Sequence, residues 1–240
     1  MSSQRVEPSG LWEAFPDPET ADNVRYNPNL ETVRELAADD ETTTEFGSPS
    51  YVSDQRSRSA DQTKNLVDHE FESADWEAME TSLDVAAERD LVCLDRVVGR
   101  HPATSYVARL FVPTSHARIA LAWGKLLESV EDIEADAADG LADEGIGREP
   151  DFQTLQLPGW DRDRQRRIRV LPDAGLTFVL GSDYTGEAKK SFLRLFMYDL
   201  KRQGGLGLHA GTKRLTVEAD PGDGGTETNG QAFLRLPATG

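Results

Sequence analysis

Apolar residues recur along this chain in two rhythms. After Asn29, a helix-capping residue, Leu30, Val33 and Leu36 follow at helical spacing. A second amphipathic helix is predicted over residues 76–89. A third starts from Thr114 or Ser115 as cap and carries Ile119, Leu121, Trp123, Leu126, Leu127 and Val130. A fourth spans residues 187–203, where Phe192, Phe196 and Leu200 recur every four positions and Leu193 and Met197 widen the stripe. Gly204-Gly205 stops it. The other rhythm is the short apolar run bounded by turn residues, which predicts strands over 90–95, 106–112, 152–157, 167–171, 176–180, 206–209, 215–218 and 231–236. The order is mixed α and β, without an internal repeat. Residues 1–24 are polar and proline-containing and predict an irregular segment. Residues 51–65 form a polar stretch, and residues 131–150 an acidic, glycine-containing solvated loop.

Composition narrows the classes. The 240 residues can bury a substantial core in one large domain. The net charge is −17, with acid spread along the whole chain. Six lysines stand against twenty arginines. That balance suits a halophilic surface, where salt screens carboxylate repulsion, or an ordinary acidic protein. Either way nucleic acid and anionic membranes are poor partners, because both require a basic face. Cys93 is the single cysteine and lies in an apolar run, so it reads as a buried small hydrophobe. No apolar run approaches about 20 residues and the N-terminus shows no secretory pattern, which makes the cytoplasm the expected location.

The chemistry concentrates in residues 181–191, which read Gly-Ser-Asp-Tyr-Thr-Gly-Glu-Ala-Lys-Lys-Ser. Two of the six lysines stand side by side there. Lysine differs from arginine in that it can lose its proton and act as a neutral ligand. Read on helical geometry alone, Lys189 and Lys190 fall in a first turn, where cations oppose the helix dipole by about 0.3–1 kcal/mol each. They are either solvated side chains or functional ones. His209 ends a short predicted strand after Gly205-Leu-Gly207-Leu, and reads as structural or as a ligand. The last residues run from a strand into Pro237-Ala-Thr239-Gly240, which is how a phosphate-binding loop begins.

Taken in order, Tyr184-x-Gly186-Glu187-x-Lys189-Lys190-Ser191, then Gly-x-Leu-x-x-His209, then strand and Ala-Thr239-Gly240, resembles ATP-dependent phosphoenolpyruvate carboxykinase. Arg56-Ser57-Arg58-Ser59-Ala-Asp61 is similar to that family's substrate segment. Residues 91–112, with Arg109, are similar to its paired strands. The resemblance spans residues 25–240, the family's N-terminal half. It implies an α/β (mixed α+β) fold in which a mixed sheet is flanked by helices, with only the first strands of a nucleotide-binding domain. The implied domains are an irregular segment over 1–24, a substrate-binding domain over 25–212, and a truncated start of the nucleotide domain over 213–240.

The resemblance also implies a reaction, in which oxaloacetate and ATP give phosphoenolpyruvate, carbon dioxide and ADP, a step of gluconeogenesis. A divalent cation, Mn2+ or Mg2+, stabilises the negative charge. Lys190 and His209 would be metal ligands, and a lysine ligates only as the free amine. Lys189 would face phosphate or substrate carboxylate, so Lys189, Lys190 and Arg58 form the implied catalytic set. Arg58 would grip a substrate carboxylate with two parallel hydrogen bonds. Tyr184 would lie beside the substrate. Lys189, His209, Thr239 and Gly240 would face the nucleotide, the last two through loop N–H groups.

Some positions depart from the family pattern. Ser57 stands where glycine is usual, and Arg235 and Pro237 replace small residues of the phosphate loop. Pro237 offers no N–H to a phosphate. The family's phosphate-loop lysine and paired aspartates have no counterpart up to Gly240. The expectation is therefore a truncated or split product, inactive alone, with a separately encoded C-terminal half as partner. Two other classes stay open on the residues alone. One is a non-catalytic carboxylate- or metal-binding remnant, and the other a salt-adapted interaction domain whose lysine pair is merely solvated.

Overall fold

The computed structural model describes residues 8–54, 60–99, 105–135, 149–160, 165–208, 211–217 and 230–236. In chain order the elements are α1 (Pro8–Glu13), β1 (Val24–Tyr26), α2 (Leu30–Leu36), β2 (Glu41–Thr43), β3 (Pro49–Tyr51), β4 (Thr63–Asn65), α3 (Ser73–Ala87), β5 (Leu91–Val98) and β6 (Tyr106–Pro113). They continue with α4 (Ala117–Gly124), α5 (Val130–Ala135), β7 (Phe152–Leu157), β8 (Arg167–Leu171), β9 (Leu176–Leu180), α6 (Thr185–Arg202), β10 (Gly211–Val217) and β11 (Gly230–Leu236).

The middle strands are buried along nearly their whole length, so both of their faces need cover. They join one seven-stranded sheet in the order β1-β5-β6-β7-β9-β8-β4. β5 and β6 are an antiparallel pair, β6, β7 and β9 run parallel, and β8 returns antiparallel to β9. Three-residue strands, β1 and β4, close the two edges in parallel pairings. This is the mixed sheet flanked by helices that the resemblance implies, and most of its pairings are parallel. The hairpins β2–β3 and β10–β11 form separate two-stranded sheets.

The period-two alternation of the strands sorts the core into two halves. Val92, Leu94, Leu110, Val112, Ile168, Val170 and Val179 face Val33 of α2, Ile119 and Trp123 of α4, and Phe192 and Leu195 of α6. Leu91, Cys93, Phe111, Leu155, Phe178 and Leu180 face Leu11 of α1, Phe15, and Met79 and Leu83 of α3. Cys93 is buried as expected. Trp123 stacks on Phe192 with ring centroids 4.9 Å apart, which fixes α4 against α6 and adds about 0.5–1.5 kcal/mol beyond burial. At the other end of α6, the Tyr106 hydroxyl donates to Asp199 at 2.7 Å. Burial, with Asp199 beside it, pushes that phenol up to about 12. α3 is pinned through its own capping box: Asp75 caps the backbone N–H of Glu72 and also receives Arg169 of β8 and Lys64 of β4.

Several elements differ from the sequence reading. Residues 8–13 are helical, and Leu11 is buried beneath them. The helix expected from residue 114 to Val130 is broken. A 3-10 turn, Thr114–His116, precedes α4, which ends at Gly124. A Cβ on Gly124 would lie 2.8 Å from Leu30, so this turn packs tightly on α2. The chain then leaves the helix to pair Glu128 with Val97 at the end of β5, and a new helix, Val130–Ala135, runs into the expected acidic loop. Residues 206–208 form no strand, and Leu206 and Leu208 are exposed. No helix among the described residues is long and apolar enough to cross a membrane.

Candidate active site at the start of the lysine helix

β9 ends at Leu180, and the chain turns at Gly181 with φ +76°, a left-handed conformation that glycine adopts without strain. Three neighbours then hold residues 182–184. Gln156 of β7 donates from Nε2 to the carbonyls of Ser182 at 3.0 Å and Tyr184 at 3.2 Å. Arg118 of α4 donates to the Asp183 carbonyl at 3.0 Å and to its Oδ2 at 2.7 Å. From the segment after β3, the Ser53 hydroxyl donates to the Asp183 carbonyl at 3.1 Å, and the Asp54 N–H donates to Asp183 Oδ2 at 2.7 Å. Arg118 is itself buried, and its Nε pairs with Asp40 at 3.1 Å.

α6 begins with Tyr184 as its cap and Thr185 as its first residue. The sequence reading placed this start two residues later. Lys189 and Lys190 therefore lie in the second turn, where the helix dipole opposes a cation less. The spacing of the motif now has a geometric meaning. The Tyr184 ring folds against Gly186 so closely that a Cβ there would lie 2.5 Å from Cε1 and Cζ. Lys190 Nζ stands over the same ring, 5.1 Å from its centroid. Glu187 is fully buried, with Lys190 Nζ 3.3 Å from Oε1 and Arg194 Nη2 3.2 Å from Oε2. Glu187, Lys190 and Arg194 sit at i, i+3 and i+7 on one face of the helix.

The two lysines divide. The Lys190 side chain is about one-third exposed and tied to Tyr184 and Glu187. Lys189 is exposed and carries no ion pair among the described residues. The structure thus brings Tyr184 and Lys190 together and turns Lys189 to solvent. Arg58, His209, Thr239 and Gly240 lie outside the described residues. Of the described flanks of the Arg58 segment, Asp54 is bonded to Asp183. Ala60 lines a cleft of about 740 Å³ beside α6, together with Asn65, His69, Arg194, Tyr198 and Lys201.

Glu187, Arg194, Arg118, Asp183 and Gln156 carried no role in the sequence reading. The i, i+3, i+7 charge spacing was a usable signal for Glu187 and Arg194. Nothing local to the sequence pairs Arg118 with Asp183, because sixty-five residues separate them.

A second buried charge cluster lies elsewhere on the sheet, around Arg109. Its Nε and Nη2 each donate to Asp95 at 2.8 Å, and the Tyr26 hydroxyl donates to the same carboxylate at 2.8 Å. Burial first, then Asp95, push the Tyr26 phenol well above its ordinary range. Asn27, in the left-handed region at φ 43°, accepts the Asp95 N–H at 2.7 Å. These residues border a cleft of about 810 Å³ that Trp12, Phe15 and Gln153 also line.

Among the described residues no three histidine, cysteine, aspartate or glutamate side chains come together in a way that could hold a metal ion. No curated protein matches this chain. The phosphoenolpyruvate carboxykinase family model, of the ATP-dependent class, matches residues 23–240. With that match covering nearly all of the sequence, the Tyr184–Lys190 motif included, the chain belongs to the ATP-dependent phosphoenolpyruvate carboxykinase family.

Proposed function

We propose that the start of α6 is the substrate- and metal-facing part of a carboxykinase site, serving the decarboxylation of oxaloacetate and phosphoryl transfer from ATP to give phosphoenolpyruvate, carbon dioxide and ADP. The observation that carries this reading is Lys190. Its amine is reachable from solvent, yet it is held in place by the Tyr184 ring and the buried Glu187 carboxylate.

A divalent cation at this site would take one ligand from α6. Lys190 supplies a primary amine, and His209 is the expected second ligand. Bound there, Mn2+ or Mg2+ supplies charge stabilisation for an enolate and a phosphoryl group. The chain's own residues set the geometry. Glu187 and the Tyr184 ring fix the direction of the Lys190 stem, and Arg194 holds the far side of Glu187. Tyr184 offers a phenol and a ring face to a substrate lying beside Lys190. Lys189 is exposed, which leaves it open to meet the phosphates of ATP. Arg58 takes a substrate carboxylate, and the backbone at Thr239 and Gly240 takes phosphate oxygens.

Manganese titration followed by electron paramagnetic resonance tests this reading. One ion per chain is expected, lost in both Lys190→Ala and His209→Ala. A form of the protein that also carries the phosphate-loop lysine and the paired aspartates should show oxaloacetate- and ATP-dependent formation of phosphoenolpyruvate, abolished by the same substitutions. Unchanged manganese binding in both variants would leave a non-catalytic carboxylate-binding domain as the better reading.

A further inference from the structure

Two segments that the carboxykinase reading assigns to one site are far apart in sequence. The first follows Asp54 and carries Arg58, and the second is the start of α6. The described residues show one carboxylate joining them. Asp183 is buried, its Oδ2 accepts both the Asp54 N–H and an Arg118 N–H at 2.7 Å, and its carbonyl accepts the Ser53 hydroxyl and a second Arg118 N–H. Charge-assisted hydrogen bonds of this kind are shorter and stronger than neutral ones. Arg118 is fixed in turn by α4 and by Asp40. Gln156 of β7 fixes the carbonyls of the residues on either side of Asp183.

We propose that Asp183 and Arg118 are positioning residues: they clamp the chain at Ser53–Asp54 to the start of α6, and so set the point from which the Arg58 segment departs relative to Lys190. Neither is expected to touch substrate or metal. The geometric part of this claim stands by itself. Its functional part rests on the carboxykinase reading of Arg58 and Lys190. If both hold, loosening the clamp separates two binding terms. Cation affinity depends on Lys190, which the clamp does not touch. Affinity for a small dicarboxylate needs the Arg58 segment and Lys190 in register.

The test uses the full chain with Asp183→Ala and Asp183→Asn, oxalate as the dicarboxylate probe, and manganese alone as the cation probe. Hydrogen exchange reads the clamp directly at the Asp54 amide. In Asp183→Ala this amide should exchange at least about tenfold faster, while amides of β5 and β7 keep their protection. Manganese-dependent oxalate binding should weaken by about tenfold, the scale of one charge-assisted hydrogen bond, with manganese affinity itself held within about twofold. Asp183→Asn still offers Asp54 an acceptor and should recover most of both effects. Unchanged exchange at Asp54 in Asp183→Ala would overturn the clamp. Loss of manganese and oxalate binding in equal proportion would overturn its positioning role, since the damage would then lie in α6 itself. A wild-type chain that binds manganese but no oxalate would count against the carboxykinase reading, and the exchange result would then decide the clamp alone. If Asp183→Ala does not fold, Arg118→Lys, which keeps the charge and loses the fork, replaces it in the same comparison.

Discussion

Asp95 and Glu187 are both carboxylates sunk into the protein, and both are met by an arginine. Around Asp95 every contact is short. Arg109 meets it with two parallel bonds at 2.8 Å, and Tyr26 adds a third at the same distance. The arginine is almost as buried as its partner. Around Glu187 the contacts are 3.2 and 3.3 Å, each arriving singly, and both cationic side chains remain about one-third exposed. A two-pronged buried pair holds a scaffold together and resists exchange of partners. A looser pair with one foot in solvent can release a partner to a ligand. On the proposed function, the first cluster serves architecture and the second chemistry, and what separates them is partner geometry and exposure.

The strongest way to break this comparison is at Asp95. Asp95→Ala leaves Arg109 buried without its counter-charge, which costs about 3–5 kcal/mol. Chemical denaturation should show that loss, while manganese affinity of the folded fraction stays unchanged.

A smaller effect sharpens the other side. Gly186→Ala forces the Tyr184 ring to move and should cost about 1–3 kcal/mol. In a Tyr184→Ala background the sign should reverse, because alanine favours a helix over glycine by up to about 1 kcal/mol. A double-mutant cycle by thermal unfolding reads the coupling.

Smaller still in stability is Lys190→Arg. It keeps a cation beside Glu187 and should shift unfolding by under about 1 kcal/mol. It should nonetheless abolish manganese binding, since a guanidinium does not ligate a cation.

The smallest expected effect is a pH dependence at His116. Burial, then the neighbouring Arg118, hold its imidazole below the ordinary histidine value of about 6.5, with Asp40 and Asp183 opposing them. The unfolded chain therefore takes up the proton first, and stability falls as pH drops below that value. His116→Gln should flatten the acid limb of a stability profile.

Much of the fold was legible because turn residues frame the apolar runs. Strands 152–157, 167–171 and 176–180 end against Pro158-Gly159, Pro172 and Gly181, and the structure returns those boundaries. The motif at α6 was legible because its residues lie within two turns of one helix. The break after Gly124 was not, since it answers to Leu30 of another helix and to a bridge with Val97. The Asp95–Arg109 and Asp183–Arg118 pairs were hidden for the same reason: their partners meet only after the sheet has formed, and no local period announces them.

The central claim is that Lys190 offers its amine to a cation. An anomalous difference map from crystals of this chain grown with manganese tests it most directly. The account predicts a single strong peak at bonding distance from Lys190 Nζ, with the contact to Glu187 opened. Saturating manganese with no peak there, and Lys190 still resting on Glu187, would contradict it.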